Sequence, residues 1–122
     1  MKNSINWFEI PVTNFERAKE FYGKLFGAEI QVMPHPEMKY GILPGDMQGG
    51  VTGGIIEAPG CEPSDKGPLI YLNGGDDLSG PLSRIEPAGG KIILPKTSIG
   101  SNGFMAHFMD TEGNKLALHS MS

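Results

Sequence analysis

The sequence predicts an α+β fold built from two βαβββ modules, whose curled mixed sheets surround a shared concave pocket. Three observations carry that expectation. A strand, a helix and three shorter strands follow one another twice, giving a repeat of roughly 60 residues present only in duplicate, which fits a paired-module fold better than an array. A turn-rich segment, Ala58 to Gly67, divides the two occurrences. Eighteen glycines and ten prolines in 122 residues suit many short strands joined by tight turns.

The first strand is expected over Ile5 to Val12 (INWFEIPV), with Phe8 and Ile10 on one face and Trp7 and Glu9 on the other. Asn14 is a candidate N-cap for FERAKEFYGKLF, in which Phe15, Ala18, Tyr22 and Leu25 fall on one helical stripe. Gly27 is placed to end that helix. Three strands follow, at Glu29 to Met33, Tyr40 to Leu43 and Val51 to Ile56. The first module thus runs from about 4 to 58, and the linker from about 58 to 67.

The second module, about 68 to 122, repeats the order. A strand over Leu69 to Asn73 precedes a short helix capped by Asp76, Asp77 or Ser79 and carrying Leu82 and Ile85. Pro87 and Gly89-Gly90 end it. Strands follow at Lys91 to Leu94, Phe104 to Met109 and Lys115 to Ser120. A sheet with one helix on one face leaves its other face uncovered. Two modules must therefore close around a common hollow, within one chain or between two.

Bulk properties exclude several classes. At 13.1 kDa the chain fits a single domain with a core that needs neither disulfide nor metal to fold. Its one cysteine, Cys61, cannot form an internal disulfide and reads as a linker thiol with no basic neighbour. A net charge of −4 with scattered Lys and Arg argues against nucleic acid and anionic membranes as partners. The N-terminal MKNSINWFEI lacks a signal-peptide apolar region, and no run is long enough to span a bilayer, so a cytoplasmic address is expected.

Two stretches carry a family resemblance. NWFEIPVTNFERAKEFYGKLFG, Asn6 to Gly27, is similar to the first strand and helix of vicinal-oxygen-chelate proteins, the glyoxalase, bleomycin-resistance and extradiol-dioxygenase group. GFMAHFMDTEGNKLALHS, Gly103 to Ser120, resembles that group's last hairpin, with Thr111 where proline is usual. The resemblance implies paired βαβββ modules. In metal-using members it also implies His, Gln or Glu ligands from the first and fourth strands of each module. Counting from the turns, those positions fall on Trp7, near Leu69 or Ile70, on Ala117, and on Gly53 or Ile55, with Glu57 a further candidate. A divalent site needs about three protein ligands, so no metal or other cofactor is expected.

Strand alternation turns Glu9, His107 and His119 toward the hollow, with Tyr71, Asn73 and Lys115 beside them. Glu9 and His107 are the candidate catalytic pair, as general base and acid. The blander expectation is that the two hydrogen-bond to each other. Should a metal bind instead, Glu9, Glu57, His107 and His119 are its candidate ligands. Trp7, Tyr71, Asn73, Met105 and His119 are the candidate ligand-binding residues, with Met109 and Tyr40 as further lining and Tyr40 leaning toward ordinary core. His35, between two prolines, reads as a loop residue.

The function expected is binding of a small, partly apolar molecule, as in bleomycin-resistance-like proteins. The alternative is a lyase, isomerase or epimerase acting on a small oxygenated substrate. The expected protein partner is a second copy, giving a homodimer. The glycine runs GDMQGGVTGG and NGGDD lack phosphate-loop spacing and read as turns.

Overall fold

The computed structural model describes residues 2–122, as two compact units that meet in sequence at Pro63 and Ser64, inside the expected linker. The fold is α+β. The first unit holds β1 (Phe8–Pro11), α1 (Phe15–Phe26), β2 (Gln31–Met33), β3 (Lys39–Ile42) and β4 (Gly53–Glu57). The second holds β5 (Tyr71–Asn73), α2 (Ser79–Leu82), β6 (Lys91–Ser98), β7 (Phe104–Met109) and β8 (Lys115–Ser120). A single 3-10 turn at Gly100–Asn102 precedes β7.

Each unit forms a four-stranded mixed sheet of the same design, β1-β4-β3-β2 and β5-β8-β7-β6. The first strand pairs parallel with the last, and the other pairs are antiparallel. A parallel pair cannot be closed by a tight turn, so the chain must cross over between β1 and β4, and α1 begins that crossover. The strand order is therefore a consequence of the helix after the first strand.

In α1, the Asn14 side chain accepts from the Arg17 N–H, and Gly27 ends the helix in the left-handed region at φ 66°. Only a residue without Cβ takes that conformation cheaply. Phe15, Ala18, Tyr22 and Leu25 are buried as the spacing predicts, and Phe21 joins them with its ring edge-on to Tyr22. The buried stripe packs on Ile55 and Ile30, and Gly41 lies so close beneath that a Cβ there would meet Ile30, Ile55 and Phe15.

Several elements depart from expectation. β1 starts at Phe8 rather than Ile5, because its partner β4 starts only at Gly53, opposite Phe8. The short helix α2 is a four-residue turn with Leu78 at its N-cap position. Its core contacts come from Leu78 and Ile85, both fully buried, whereas Leu82 is only partly so. β6 runs four residues beyond the expected Leu94, to Ser98, through two register shifts. It is an edge strand, which is where a strand tolerates a residue such as Pro95. Lys96 closes it onto α2, reaching Asp77 at 2.9 Å while lying over the Phe104 ring. The Ser79 N–H and Lys96 hold the Asp77 carboxyl down to about 2.

The same tie recurs at each helix start. The Phe15 N–H donates to the Glu57 carboxylate, and the Leu78 N–H donates to the Ser120 hydroxyl, both across 42 residues. Each bond clamps the end of the last strand onto the start of the crossover and satisfies an otherwise orphan N–H. The β7–β8 turn is held by Asp110, whose carboxylate accepts from the Glu112 and Asn114 N–H groups and from the Asn114 side chain. Thr111, in place of proline, donates to the Glu112 carboxylate.

Asp110 is 5% exposed, so Asp110→Ala strands several buried donors. We expect it to lower unfolding stability by about 2–3 kcal/mol in a denaturant titration. Glu57→Ala should cost about 1 kcal/mol, and Glu57→Gln, which keeps an acceptor, less.

Candidate functional site

Strand alternation divides each sheet into a face against its helix and a face away from it. In the first unit Phe8, Ile10, Gly53, Ile55 and Glu57 share the helix face. Trp7, Glu9, Tyr40, Gly54 and Ile56 share the other, as the pairs Glu9↔Gly54 and Tyr40↔Ile56 require. Glu57 is thus a correction: its carboxylate serves the start of α1 and lies on the opposite face from Glu9, so the two cannot share a metal.

On the face away from the helix, three side chains form a relay. The Trp7 indole N–H donates to the Tyr40 hydroxyl at 2.7 Å, and that hydroxyl donates to the Glu9 carboxylate at 2.8 Å. Tyr40 is 9% exposed, Trp7 half-buried and Glu9 exposed. The Tyr40 ring stands directly over Gly54, where a Cβ would fall 2.5 Å from it. Burial, the first cause, raises the Tyr40 pKa; the Trp7 bond opposes this and Glu9 adds to it. The phenol therefore stays protonated and donates. Tyr40 is the residue the sequence undervalued: it has a core position, yet it holds the site together. A buried tyrosine hydroxyl needs a partner, and the glycine opposite its strand was the available signal.

Within its own unit, the hydrogen-bond partner of Glu9 is Tyr40. In the second unit, Tyr71, Asn73, Met105, His107, Met109, Lys115, Ala117 and His119 share the face away from α2, following the pairs Tyr71↔Ala117, Met105↔His119 and Asn73↔His119. The alternation expected for these strands therefore holds. Tyr71 is half exposed and sets its ring edge-on to that of His107. A shallow cleft of about 380 Å3 brings together Tyr71, Asn73, His119 and Met121. Within it the Asn73 side-chain amide oxygen accepts from the Gly75 N–H, and His119 Nε2 lies 2.7 Å from the Asn102 backbone carbonyl oxygen, which only a nitrogen bearing a proton can satisfy. His107 Nε2 is buried without a hydrogen-bond partner. Desolvation first, then the nearby Lys115 charge, lowers its pKa and keeps the imidazole neutral.

Gly54, paired with Glu9, and Ala117, paired with Tyr71, lie on the faces away from the helices, whereas the candidates Gly53 and Ile55 lie on the helix face. Gly54 and Ala117 offer no ligating side-chain atom, and the Trp7 N–H is committed to Tyr40. Among the described residues, no three His, Cys, Asp or Glu side chains are grouped as a metal would need. The residues at the family's ligand positions do not fit a divalent ion. His35 and Cys61 line a separate cleft of about 530 Å3 with Val12 and Glu57, away from the relay.

A family model described as Glyoxalase/Bleomycin resistance protein/Dioxygenase superfamily matches residues 4–118. A glyoxylase-like domain-containing protein of Didymella fabae is 32% identical over 126 residues, spanning 97% of this chain and 94% of that one. The solved structure of TnmS3, an antibiotic binding protein from Streptomyces sp. CB03234, superposes with a TM-score of 0.65 at 22% identity, over 100% of this chain and 99% of that one. Glyoxalase I from Zea mays gives 0.71 at 18% identity over 93% of this chain, which spans only 44% of the maize protein. Both structures are like this one in fold. Among the described residues no helix is long and apolar enough to cross a membrane.

Two outcomes follow from this geometry. Gly54→Ala should push the Tyr40 ring aside, cost about 1–3 kcal/mol and shift the emission of Trp7, the single tryptophan. His107 has a folded pKa below its unfolded value. It therefore contributes stability that is complete above pH 6.5, the ordinary histidine value, and lost as pH falls through the folded pKa. His107→Gln should flatten the fall in thermal midpoint between pH 7 and 5.

Proposed function

The chain belongs to the glyoxalase/bleomycin resistance protein/dioxygenase superfamily, and from that premise we propose that it binds a small, partly apolar organic molecule on the strand faces opposite its helices, without the divalent metal that many relatives use. The observation that carries this reading is the Tyr40 ring over Gly54, tied through its hydroxyl to Trp7 and Glu9. The buried Tyr40 ring fills the space over Gly54 where a fourth-strand side chain would project, and a few polar groups are left to orient a ligand. Tyr71, Met105 and Met109 add adaptable apolar surface on the second unit. The antibiotic-binding neighbour is a protein of this fold whose role is binding.

A second reading rests on His107. A neutral imidazole with an unpartnered nitrogen is suited to exchange a proton with a bound substrate. It supports a lyase, isomerase or epimerase acting on a small oxygenated molecule, with His107 as the proton-exchanging group.

Elemental analysis of dialysed protein after reloading with Zn, Ni, Fe or Mn separates metal-dependent from metal-free binding. We expect less than stoichiometric metal and no change in thermal midpoint. Stoichiometric metal lost on Glu9→Gln or His107→Ala overturns the metal-free reading. If turnover of a small oxygenated substrate is found, it should collapse on His107→Gln with the thermal midpoint at pH 7 little changed.

A further inference from the structure

The relay around Glu9 specifies what kind of small molecule the first unit selects, an inference that rests on the binding reading above. Glu9 is exposed, yet its carboxylate is not free to wander: Oε2 accepts from the Tyr40 hydroxyl at 2.8 Å. That hydroxyl is itself fixed by the Trp7 indole at 2.7 Å, and the Tyr40 ring is seated on Gly54. The three together hold a carboxylate in one place, with its second oxygen available. Glu9 makes no ion pair among the described residues. Lys39, the strand residue next to Tyr40, pairs with Glu57 in register and so lies on the helix face. The result is a fixed, uncompensated negative charge flanked by an indole and a phenol.

Such a group has a definite chemical complement. A carboxylate whose acceptor lobe is open binds donors, and binds charged donors best. The half-buried Trp7 indole attracts cations through its quadrupole, the strongest of the aromatic side chains in this respect. An anionic ligand would meet repulsion from the Glu9 carboxylate, and the net charge of −4 adds a weak field of the same sign. We propose that Glu9, Tyr40 and Trp7 form a recognition site for a protonated amine carried on an apolar or aromatic body. Glu9 contacts the ammonium; Tyr40 is a positioning residue that acts through Glu9.

The single tryptophan stands inside the site, so its emission reports binding directly. The probes are a matched set: phenethylamine, phenethyl alcohol and 3-phenylpropionate, titrated into the intact chain at pH 7 and low salt. The amine is expected to bind about five- to tenfold more tightly than the alcohol, the range of a partly screened ion pair with a cation–π contribution. The propionate should bind more weakly than the alcohol. Glu9→Gln should bring the amine-to-alcohol ratio to about one. Tyr40→Phe keeps the charge but frees it, and should reduce the ratio about two- to threefold, a change that mere apolar packing would not produce. Thermal midpoints of both variants establish that they are folded.

An amine no tighter than the alcohol, or a preference that survives Glu9→Gln, overturns the proposal. If all three probes bind equally, amine selection fails while the binding reading stands. If none binds, both fail.

Discussion

The parallel pairing of the first strand with the last is the constraint from which the rest of each unit follows. Two parallel neighbours need a crossover, the crossover contains the helix, and the helix covers one face of the sheet. Once that face is covered, alternation leaves every second residue of all four strands on the opposite side. The clamp at the helix start makes the arrangement rigid where it matters. In the first unit Glu57 satisfies the Phe15 N–H, and in the second Ser120 satisfies the Leu78 N–H. A carboxylate does one and a hydroxyl the other because the requirement is only an acceptor at the right place.

Close packing then decides what the open face can carry. On the helix side there is no room at Gly41, where a side chain would meet Phe15, Ile30 and Ile55. On the open side the absence of a side chain at Gly54 makes a seat for an aromatic ring, and Tyr40 takes it. The ring is buried but its hydroxyl is not allowed to be alone, so it draws Trp7 and Glu9 into a fixed relation. A packing vacancy is thereby converted into an oriented carboxylate.

Most of the fold was legible in the sequence because its elements carry local signals. The α1 stripe, the Asn14 cap and the Gly27 stop are written within one segment, and β7 and β8 fall where their alternation puts them. What was not legible depends on distant partners. β1 is shortened because β4 begins only at Gly53, a fact absent from residues 5–12. The second helix contracts to one turn, since its burial comes from the flanking Leu78 and Ile85 rather than from a helical stripe. Of the candidate site, the facing of Glu9, Tyr71, His107 and His119 was read correctly from period two. The role of Glu57 was not, because a capping bond across 42 residues leaves no local mark. Which fourth-strand residues face away from the helix was not legible for a related reason: glycines at 53 and 54 carry no apolar alternation to count from.

The two units also show how one scaffold yields unlike faces. Aligned on the equivalent bonds from the Val12 N–H to the Ile56 carbonyl and from the Gly74 N–H to the His119 carbonyl, Glu9 is the counterpart of Tyr71, Tyr40 of Met105, Gly54 of Ala117 and Ile42 of His107. On the helix side the counterparts are nearly interchangeable: Ile10 with Leu72, Ile55 with Leu118, Gly41 with Ala106, all apolar and buried. The helix-facing positions are constrained alike, each by the core of its own unit, whereas the open positions answer only to what they contact. One unit sets out a carboxylate braced by two aromatic groups, the other an unpartnered neutral imidazole among methionines and a tyrosine. On the binding reading proposed above, a repeat whose covered faces agree and whose open faces differ in charge and polarity makes its specificity on the open faces.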